Sequence, residues 1–191
     1  MFETFCAPVG PLMALTPDAV ARISGLDFVP VKDRDDLPAE PGVYLWATDW
    51  AGPCFYFGSG AGASGLRGRV GNEFRWVREY LDWMAKGDPF ETEAVTQVPL
   101  VRVVADLKLK CFAAAAAPAS WESEHQAPSS AVEWERFVQE TSALLTGHRS
   151  IIGGGAWENK VGGLGDRMQK VALARLRALR PRKGSSGVVR R

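Results

Sequence analysis

The segment 41-PGVYLWATDWAGPCFYFGSGAGASGLRGRV-70 contains two short runs of β-branched and aromatic residues, each with one tyrosine. The runs, residues 43–48 and 54–58, are separated by DWAGP, whose residue types favour turns. A stretch of glycine, alanine and serine follows, and then an arginine-rich segment begins. The pattern predicts a β-hairpin that carries Tyr44 on one strand and Tyr56 on the other, followed by a flexible connection to a helix.

The composition is that of a folded protein with one core. The chain has 191 residues, of which 46% are hydrophobic, and it includes seven tryptophans and nine phenylalanines. This length and apolarity can offset the entropy of the unfolded chain. No apolar run approaches the roughly 18 residues of a membrane span, and the first residues lack the basic start of a secretory signal. We therefore expect a soluble cytoplasmic protein with no membrane partner, while the sequence does not indicate its oligomeric state.

The cysteine spacing and the charge distribution indicate which kinds of site and partner to expect. Cys6, Cys54 and Cys111 are widely spaced and form no C-x-x-C pair, so we expect buried thiols rather than a disulfide framework or a zinc site. The segment 165–191 carries a net charge of +8, whereas the preceding residues carry −7. Such a basic end is typical of a polyanion-binding segment or of a solvated helix face, and the sequence leaves both readings open.

Capping signals define the N-terminal and middle helices. Thr16 followed by proline predicts the start of a short helix that stops at Gly25, and residues 26–42 should cross the surface as an extended lead-in. A second helix should span residues 66–86 and end at Gly87. Its apolar face would contain residues at three- and four-residue steps, namely Val70, Phe74, Val77, Leu81 and Met84.

In the second half of the chain, β-branched residues, low-complexity composition and helix-capping patterns predict the secondary structure. A third strand should lie within 95–104, with 108–115 extending or pairing with it. Residues 113–130 are of low complexity and should form a surface insertion. Ser130 and Glu133 form a capping-box pattern for a helix that ends at Gly147. A glycine-rich loop over 150–166 should precede a basic amphipathic helix over 166–180.

The hairpin resembles a known family. Gly42-Val43-Tyr44 and, after eleven intervening residues, Tyr56-Phe57-Gly58 resemble the paired motif of the GIY-YIG nucleases, and LPAEPGVY resembles the lead-in of their excision-repair branch. The resemblance implies an α/β (α+β) sandwich in which helices flank a central three-stranded antiparallel sheet. The chain would then divide into an N-terminal segment 1–40, a nuclease-like domain 41–165 with the insertion 113–130, and a basic C-terminal helix and tail 166–191.

The resemblance also implies an activity. Members of this family hydrolyse phosphodiester bonds with one divalent metal, so the expected cofactor is Mg²⁺ or Mn²⁺ and the expected partner is DNA or RNA. Tyr44 and Tyr56 match the family's two tyrosines, and Arg69, in 65-GLRGRV-70, matches its catalytic arginine. A phenol can orient or deprotonate water, and a guanidinium fork matches phosphate oxygens.

The family's metal-binding glutamate has two candidates in this sequence. Glu140 lies about one and a half turns before the expected helix stop, as in many relatives, whereas Glu135 lies nearer the helix start, as in other branches. Glu140 is slightly preferred as the metal ligand, and Glu133 is set aside because the capping box uses it. Asn159 resembles the family's terminal asparagine, although its distance from either glutamate exceeds the common spacing.

Basic residues on the predicted helices are the candidates for nucleic-acid contacts. They are Arg67, Arg75, Arg167, Lys170, Arg175 and Arg177. A second hypothesis keeps the scaffold and the basic surface but removes cleavage, which would make the chain a nucleic-acid-binding module. A nucleotide-binding reading of the glycine-rich stretch 58–65 finds little support, because the stretch matches neither a P-loop nor a dinucleotide-binding fingerprint.

Overall fold

The structure is a computed structural model, and it describes residues 15–87, 98–117, 121, 127–147, 149 and 164–179. Within these ranges the chain forms a mixed α/β fold with five helices and four strands. The helices are α1 (Pro17–Ser24), α2 (Gly65–Lys86), α3 (Val98–Asp106), α4 (Ala131–Thr146) and α5 (Leu164–Leu179). The strands are β1 (Val29–Val31), β2 (Gly42–Ala47), β3 (Cys54–Gly60) and β4 (Lys110–Ala115).

The four strands form one antiparallel sheet in the order β1-β4-β2-β3. The prediction of an antiparallel sheet is therefore confirmed, but the number of strands differs from the three expected. The additional strand, β1, lies in the segment that was expected to be only an extended lead-in. It contains Pro30, and a proline, which has no amide hydrogen to donate, is tolerated on an edge strand of this kind.

The predicted hairpin is present. β2 and β3 pair so that Tyr44 lies opposite Gly58 and Trp46 lies opposite Tyr56. The amide of Gly52 donates to the carbonyl of Asp49 at 3.1 Å, which closes the turn between the strands. The turn chemistry of the sequence was therefore sufficient to locate this part of the fold.

The strand predicted within 95–104 is wrong, because this part of the chain forms helix α3. Leu100, Val101, Val104 and Ala105 are buried, a spacing that follows one face of a helix. The third long strand is instead β4, which pairs with both β1 and β2. Three residues assigned to the surface insertion, 113–115, consequently belong to the sheet.

The predicted helix caps are present, except that Glu133 does not complete the capping box, because its carboxylate accepts a hydrogen bond of 2.9 Å from the amide of Ser129 rather than from that of Ser130. The Thr16 hydroxyl accepts a hydrogen bond from the amide of Ala19 at 3.1 Å at the start of α1, and the Ser130 hydroxyl accepts one from the amide of Glu133 at 3.3 Å at the start of α4. Left-handed glycines end three helices, with φ angles of 76° at Gly25, 75° at Gly87 and 82° at Gly147. These caps are local, so they could be predicted without tertiary contacts.

The apolar face predicted for α2 is correct only in its first half. Leu66 and Val70 are buried, but Leu81 and Met84 are 50% and 57% exposed. Tyr80 is buried in place of Leu81 and packs near α3. The helix is 22 residues long and extends past the end of the sheet, so its last turns cannot be buried by β2.

Helices cover both faces of the sheet. On one face Val43, Leu45 and Ala47 of β2 pack into a cluster that includes residues of α1, α4 and α5. On the opposite face Tyr44 and Trp46 pack with residues of α2 and α3. All six residues of β2 are buried as a result, which explains why its sequence lacks a polar face.

The basic helix α5 is part of this core rather than an appendage. Met168, Val171 and Ala172 are buried in the cluster that includes α4. Trp121, from the predicted insertion, packs against Trp134 and Phe137 of α4 in the same region. No helix within the described ranges is both long enough and apolar enough to cross a lipid bilayer.

The assignment of α3 as a helix can be tested by a pair of substitutions. A helix buries Leu100 and Val101 together, whereas a strand with one solvent-exposed face would bury only one of two adjacent side chains. We expect Leu100→Ala to lower the free energy of unfolding by about 2–5 kcal/mol and Val101→Ala by about 1.5 kcal/mol in urea denaturation. Leu107→Ala, at a position 49% exposed, is the control and should be nearly neutral. Destabilisation by only one of the first two would contradict the helix.

Candidate active site

Tyr44 is the innermost group of the site. Strand β2 directs it to the face covered by α2, where the residue is only 1% exposed. Its hydroxyl donates a hydrogen bond of 2.6 Å to Oε1 of Glu73. Burial raises the pKa of the Tyr44 phenol well above its ordinary value, and the negative charge of Glu73 raises it further. The phenol is therefore a neutral hydrogen-bond donor at ordinary pH.

Tyr56 lies beside Tyr44 and is closer to solvent. The two ring centroids are 6.0 Å apart and the rings are tilted by 44°. Tyr56 is half-buried on the edge strand β3, and burial, followed by the charge of Glu73, raises the pKa of its phenol. The hairpin thus brings together the two tyrosines that the sequence singled out.

Arg69 approaches the same point from the start of α2. Its guanidinium nitrogen Nη2 lies 3.4 Å from Oε1 of Glu73, and its side chain is 34% exposed. The positive charge of Arg69 also opposes the rise in the pKa of the Tyr44 phenol. Arg69 therefore contacts the buried groups at one side and solvent at the other, which is the position from which a cation can bind an anionic ligand.

Glu73 is the residue that sequence reasoning missed. It lies one turn after Arg69 on α2 and is 1% exposed. While Oε1 accepts from Tyr44, Oε2 accepts a hydrogen bond of 2.9 Å from the indole nitrogen of Trp46. Burial raises the pKa of Glu73, although Arg69 and the two hydrogen bonds oppose this shift. The available signal was a carboxylate at a position of α2 that shares the buried face with Val70.

Glu135 reaches the site from the other side of the sheet. It projects from α4, which contacts the edge strand β3. One carboxylate oxygen accepts a short hydrogen bond from the Ser59 hydroxyl, and the other accepts from Nε2 of Gln139 at 3.0 Å. Burial raises the pKa of Glu135, and Arg69 is one of the groups that lower it. The charge of Glu135 in turn raises the pKa of Tyr56, so the three groups share one electrostatic environment.

Glu140, the glutamate preferred from the sequence, has different surroundings. It is 1% exposed, and its Oε1 accepts a hydrogen bond of 2.9 Å from Nε of Arg149. Nε of Arg136 lies 3.1 Å from the same oxygen. Two guanidinium groups thus already neutralise this carboxylate. Of the two candidate glutamates on α4, Glu135 is the one that is electrostatically coupled to Tyr56 and Arg69, so the structure favours Glu135 over Glu140. Asn159 lies outside the described residues.

The two basic candidates on α2 differ in their contacts. Arg67 donates from Nε and NH2 to the carbonyl of Leu37, at 3.2 and 3.0 Å, and so holds the segment before β2 against the helix. Arg75 lies 3.9 Å from Glu79 in an exposed pair. Arg67 therefore has a structural contact, while Arg75 is available to solvent.

The four basic candidates on α5 lie on the opposite face of the sheet from α2. Arg167 forms an ion pair with Glu133, and Arg175 donates to the carbonyl of Ile23 at 3.0 Å. The Arg175 guanidinium also lies 4.9 Å from the centre of a Trp121 ring. Lys170 and Arg177 are exposed. Arg167 and Arg175 therefore help to hold the fold together, and the structure does not bring this set next to Tyr44.

The site lies at the β3 edge of the sheet. Because β3 has a strand neighbour on one side only, α2 and α4 can approach its free edge from opposite faces. The two phenols and the guanidinium lie there on the face covered by α2, and the carboxylate of Glu135, which α4 brings from the opposite face, is electrostatically coupled to Tyr56 and Arg69. Such a set can orient water, donate to an oxyanion and bind a hard cation.

Gly58 makes room for this arrangement. A Cβ atom at this position would lie 2.5 Å from both Cζ and the hydroxyl oxygen of Tyr44, closer than real Cβ contacts allow. The glycine of the Tyr56-Phe57-Gly58 run is therefore required because the phenol of Tyr44 packs directly over the backbone of β3.

Comparison with models of known protein families, with curated proteins and with solved structures found no match for this chain. The resemblance to the GIY-YIG nucleases thus stays a prediction from the motif residues of the sequence. Within the described residues, no group of three or more His, Cys, Asp or Glu side chains is arranged to hold a metal ion.

The packing of Tyr44 over Gly58 generates a prediction. We expect Gly58→Ala to lower the free energy of unfolding by about 1–3 kcal/mol, because the new methyl group overlaps the phenol. Gly62→Ala is the matched control, since a Cβ there meets nothing within 4 Å. Thermal or urea denaturation of the two variants makes the comparison. Equal stability of both variants and the unmodified protein would show that the phenol does not lie over this glycine.

Proposed function

We propose that the chain is a metal-dependent endonuclease that hydrolyses phosphodiester bonds of DNA by a GIY-YIG type of mechanism. The observation that supports this best is the meeting of Tyr44, Tyr56, Arg69 and Glu135 at one sheet edge. Each residue type has a role in cleaving a phosphodiester, and Glu135 comes from an element far from the other three in the sequence. A purely structural role for all four would not require them to share one partly solvated edge.

Arg69 is the residue proposed to bind the scissile phosphate. Its guanidinium stays charged, and its fork of donors matches the oxygens of a phosphoryl group. The side chain is partly exposed, so an incoming phosphate can reach it without unfolding α2. Stabilising the negative charge that develops on the phosphoryl oxygens is its expected contribution to the rate.

The tyrosines are proposed to handle the attacking water. Tyr44 is bonded to a carboxylate, which fixes the orientation of its hydroxyl, and it is the group proposed to accept a proton from water. Tyr56 is nearer to solvent and would hold the water or a phosphoryl oxygen by hydrogen bonding. This division places proton transfer at the inner tyrosine and substrate positioning at the outer one.

Glu135 is the residue proposed to hold the divalent ion, Mg²⁺ or Mn²⁺. Mg²⁺ prefers oxygen ligands and keeps several waters, so a single carboxylate together with substrate phosphate can bind it. The carboxylate of Glu135 is half-buried at the same edge as Arg69, and its partners Ser59 and Gln139 fix its orientation, so the donor set fits the ion. When bound, the ion would supply Lewis-acid stabilisation of phosphoryl charge.

DNA is the proposed polyanion. Exposed basic groups that could contact its backbone include Arg75 on α2 and Lys170 and Arg177 on α5. Because α2 and α5 lie on opposite faces of the sheet, one straight duplex segment placed at Arg69 is expected to use α2 more than α5. RNA offers the same phosphate chemistry and is the alternative substrate.

Cleavage of a supercoiled plasmid tests the proposal. We expect nicking in the presence of Mg²⁺ or Mn²⁺ and none after chelation by EDTA. Arg69→Ala and Glu135→Gln should each reduce the rate by about 10²-fold or more, because each removes a group that acts on the transition state. Gel analysis of the products over time, with the folded fraction checked by circular dichroism, gives the measurement.

Glu140→Gln is the matched control for Glu135→Gln in the plasmid assay. Glu140→Gln should keep most of the activity of its folded fraction, because Glu140 is already paired with Arg136 and Arg149. Loss of activity in Glu140→Gln together with normal activity in Glu135→Gln would reject the assignment of the metal ligand. Equal activity of the unmodified protein and Arg69→Ala would reject the proposed nuclease.

A nucleic-acid-binding module without cleavage is the second candidate. The observation in its favour is that Tyr44 is 1% exposed and its hydroxyl is already bonded to Glu73. In this case DNA binding should weaken steeply with salt while no product forms. Addition of Mg²⁺ should also leave the melting temperature unchanged, because an ion that does not bind the folded state cannot stabilise it.

A further inference from the structure

Glu73 is buried at the centre of the proposed site yet has no direct access to substrate. Its Oε1 accepts a hydrogen bond of 2.6 Å from the Tyr44 hydroxyl and lies 3.4 Å from Nη2 of Arg69, and its Oε2 accepts one of 2.9 Å from the indole nitrogen of Trp46. Burying a carboxylate is unfavourable unless partners compensate for the lost hydration. A carboxylate retained in this position, one hydrogen bond from the reacting tyrosine, calls for a chemical explanation.

We propose that Glu73 is the proton acceptor for Tyr44, so that Tyr44 passes its own hydroxyl proton to Glu73 while it takes a proton from the attacking water. This inference rests on the proposed nuclease function of the site. Glu73 acts through Tyr44 and does not touch the substrate, so it is a positioning residue of the reaction.

This proton relay, from water through Tyr44 to Glu73, explains how a buried tyrosine could act as a base. A buried phenol that faces a carboxylate is a poor base, because its pKa is raised and the phenolate form is scarcely populated. If the phenol proton moves to Glu73 during the reaction, no free phenolate has to form first. Burial also raises the pKa of Glu73, which makes this carboxylate a better proton acceptor than an exposed one.

The transfer balances in atoms and charge. One O–H bond of water breaks as an O–H bond forms at the Tyr44 oxygen. The original O–H bond of Tyr44 breaks as one forms at Oε1 of Glu73. The resulting hydroxide oxygen attacks phosphorus, so the negative charge leaves the carboxylate and appears on the reacting oxygens. After cleavage Glu73 returns its proton to Tyr44, which can pass a proton to the leaving oxygen.

Arg69 connects this relay to substrate binding. In the free protein its guanidinium faces Oε1 of Glu73, the same oxygen that accepts the hydrogen bond of Tyr44. When Glu73 is protonated, Arg69 loses its neighbouring anion, and its charge acts fully on the phosphoryl oxygens.

The test is a pH profile of single-turnover plasmid cleavage with saturating Mg²⁺. The titratable and charged groups that face Glu73 are Tyr44, Tyr56, Arg69, Cys111 and Glu135. In the unmodified protein we expect activity above the raised pKa of Glu73 and loss of activity as the pH falls through it. Because Glu135 faces the same groups, its own Glu135→Gln variant is profiled alongside.

Glu73→Gln should lower the rate about 10²-fold or more near neutral pH, the usual contribution of a general base. Its remaining rate should rise steadily with pH, since cleavage then depends on the phenolate of Tyr44. Glu73→Asp, which keeps a carboxylate, should recover part of the rate and the profile of the unmodified protein. Trp46→Phe is the control, because it removes a hydrogen bond from the same carboxylate but leaves the proton acceptor in place.

A structural role and a relay give different results. If Glu73 only braces the fold, Trp46→Phe and Glu73→Gln should behave alike and neither should change the shape of the pH profile, which would overturn the relay. If Glu73→Gln unfolds because its amide faces the Trp46 indole, the double variant Trp46→Phe/Glu73→Gln removes that conflict and should show the same altered profile. Cleavage by the unmodified protein with a normal profile in Glu73→Gln rejects the relay alone, whereas no cleavage by the unmodified protein rejects the nuclease and the relay together.

Discussion

The buried carboxylate of Glu73 links the packing of α2 on β2 to the geometry of the proposed site. It fastens α2 to β2, because its oxygens take hydrogen bonds from two residues of that strand, Tyr44 and Trp46, while Arg69 of its own helix balances its charge. A charge without these partners would be strongly destabilising in this position. The partners that make burial possible also set the direction of the Tyr44 hydroxyl and of the Arg69 guanidinium. The same contacts therefore serve the fold and the proposed chemistry.

The position of the site follows from the order of the strands. β3 is an edge strand, so α2 and α4 can both extend side chains around it from opposite faces of the sheet. An interior strand would keep these helices apart, since neighbouring strands would separate the two layers. The edge also leaves Tyr56 and Arg69 partly exposed, as binding of a polyanion requires. Arg69 and Glu135 are thus far apart in the sequence because they belong to helices that cover opposite faces of the sheet.

Local chemistry explains what could be predicted from the sequence. The hairpin, the helix caps and the placement of Tyr44 and Tyr56 on adjacent strands depend on turn residues and on short-range spacing.

Tertiary packing determines the features that the sequence did not predict. The β-branched segment around Val101 is compatible with a strand or a buried helix, and only its contact with α2 makes it a helix. Likewise, Glu135 and Glu140 lie on one helix, and which of them faces β3 depends on how α4 is rotated against the sheet. Glu73 could not be assigned a role because its partners become neighbours only when α2 packs on β2.

In the proposed nuclease, Tyr44, Tyr56, Arg69 and Glu135 surround one scissile phosphate. A crystal structure of the protein with a short DNA duplex and Mn²⁺, with the ion located by its anomalous scattering, measures this most directly. We predict that the ion binds the carboxylate of Glu135 and that Arg69 binds a phosphate at the β3 edge. An ion bound at Glu140 or elsewhere, with the duplex distant from β3, would contradict it.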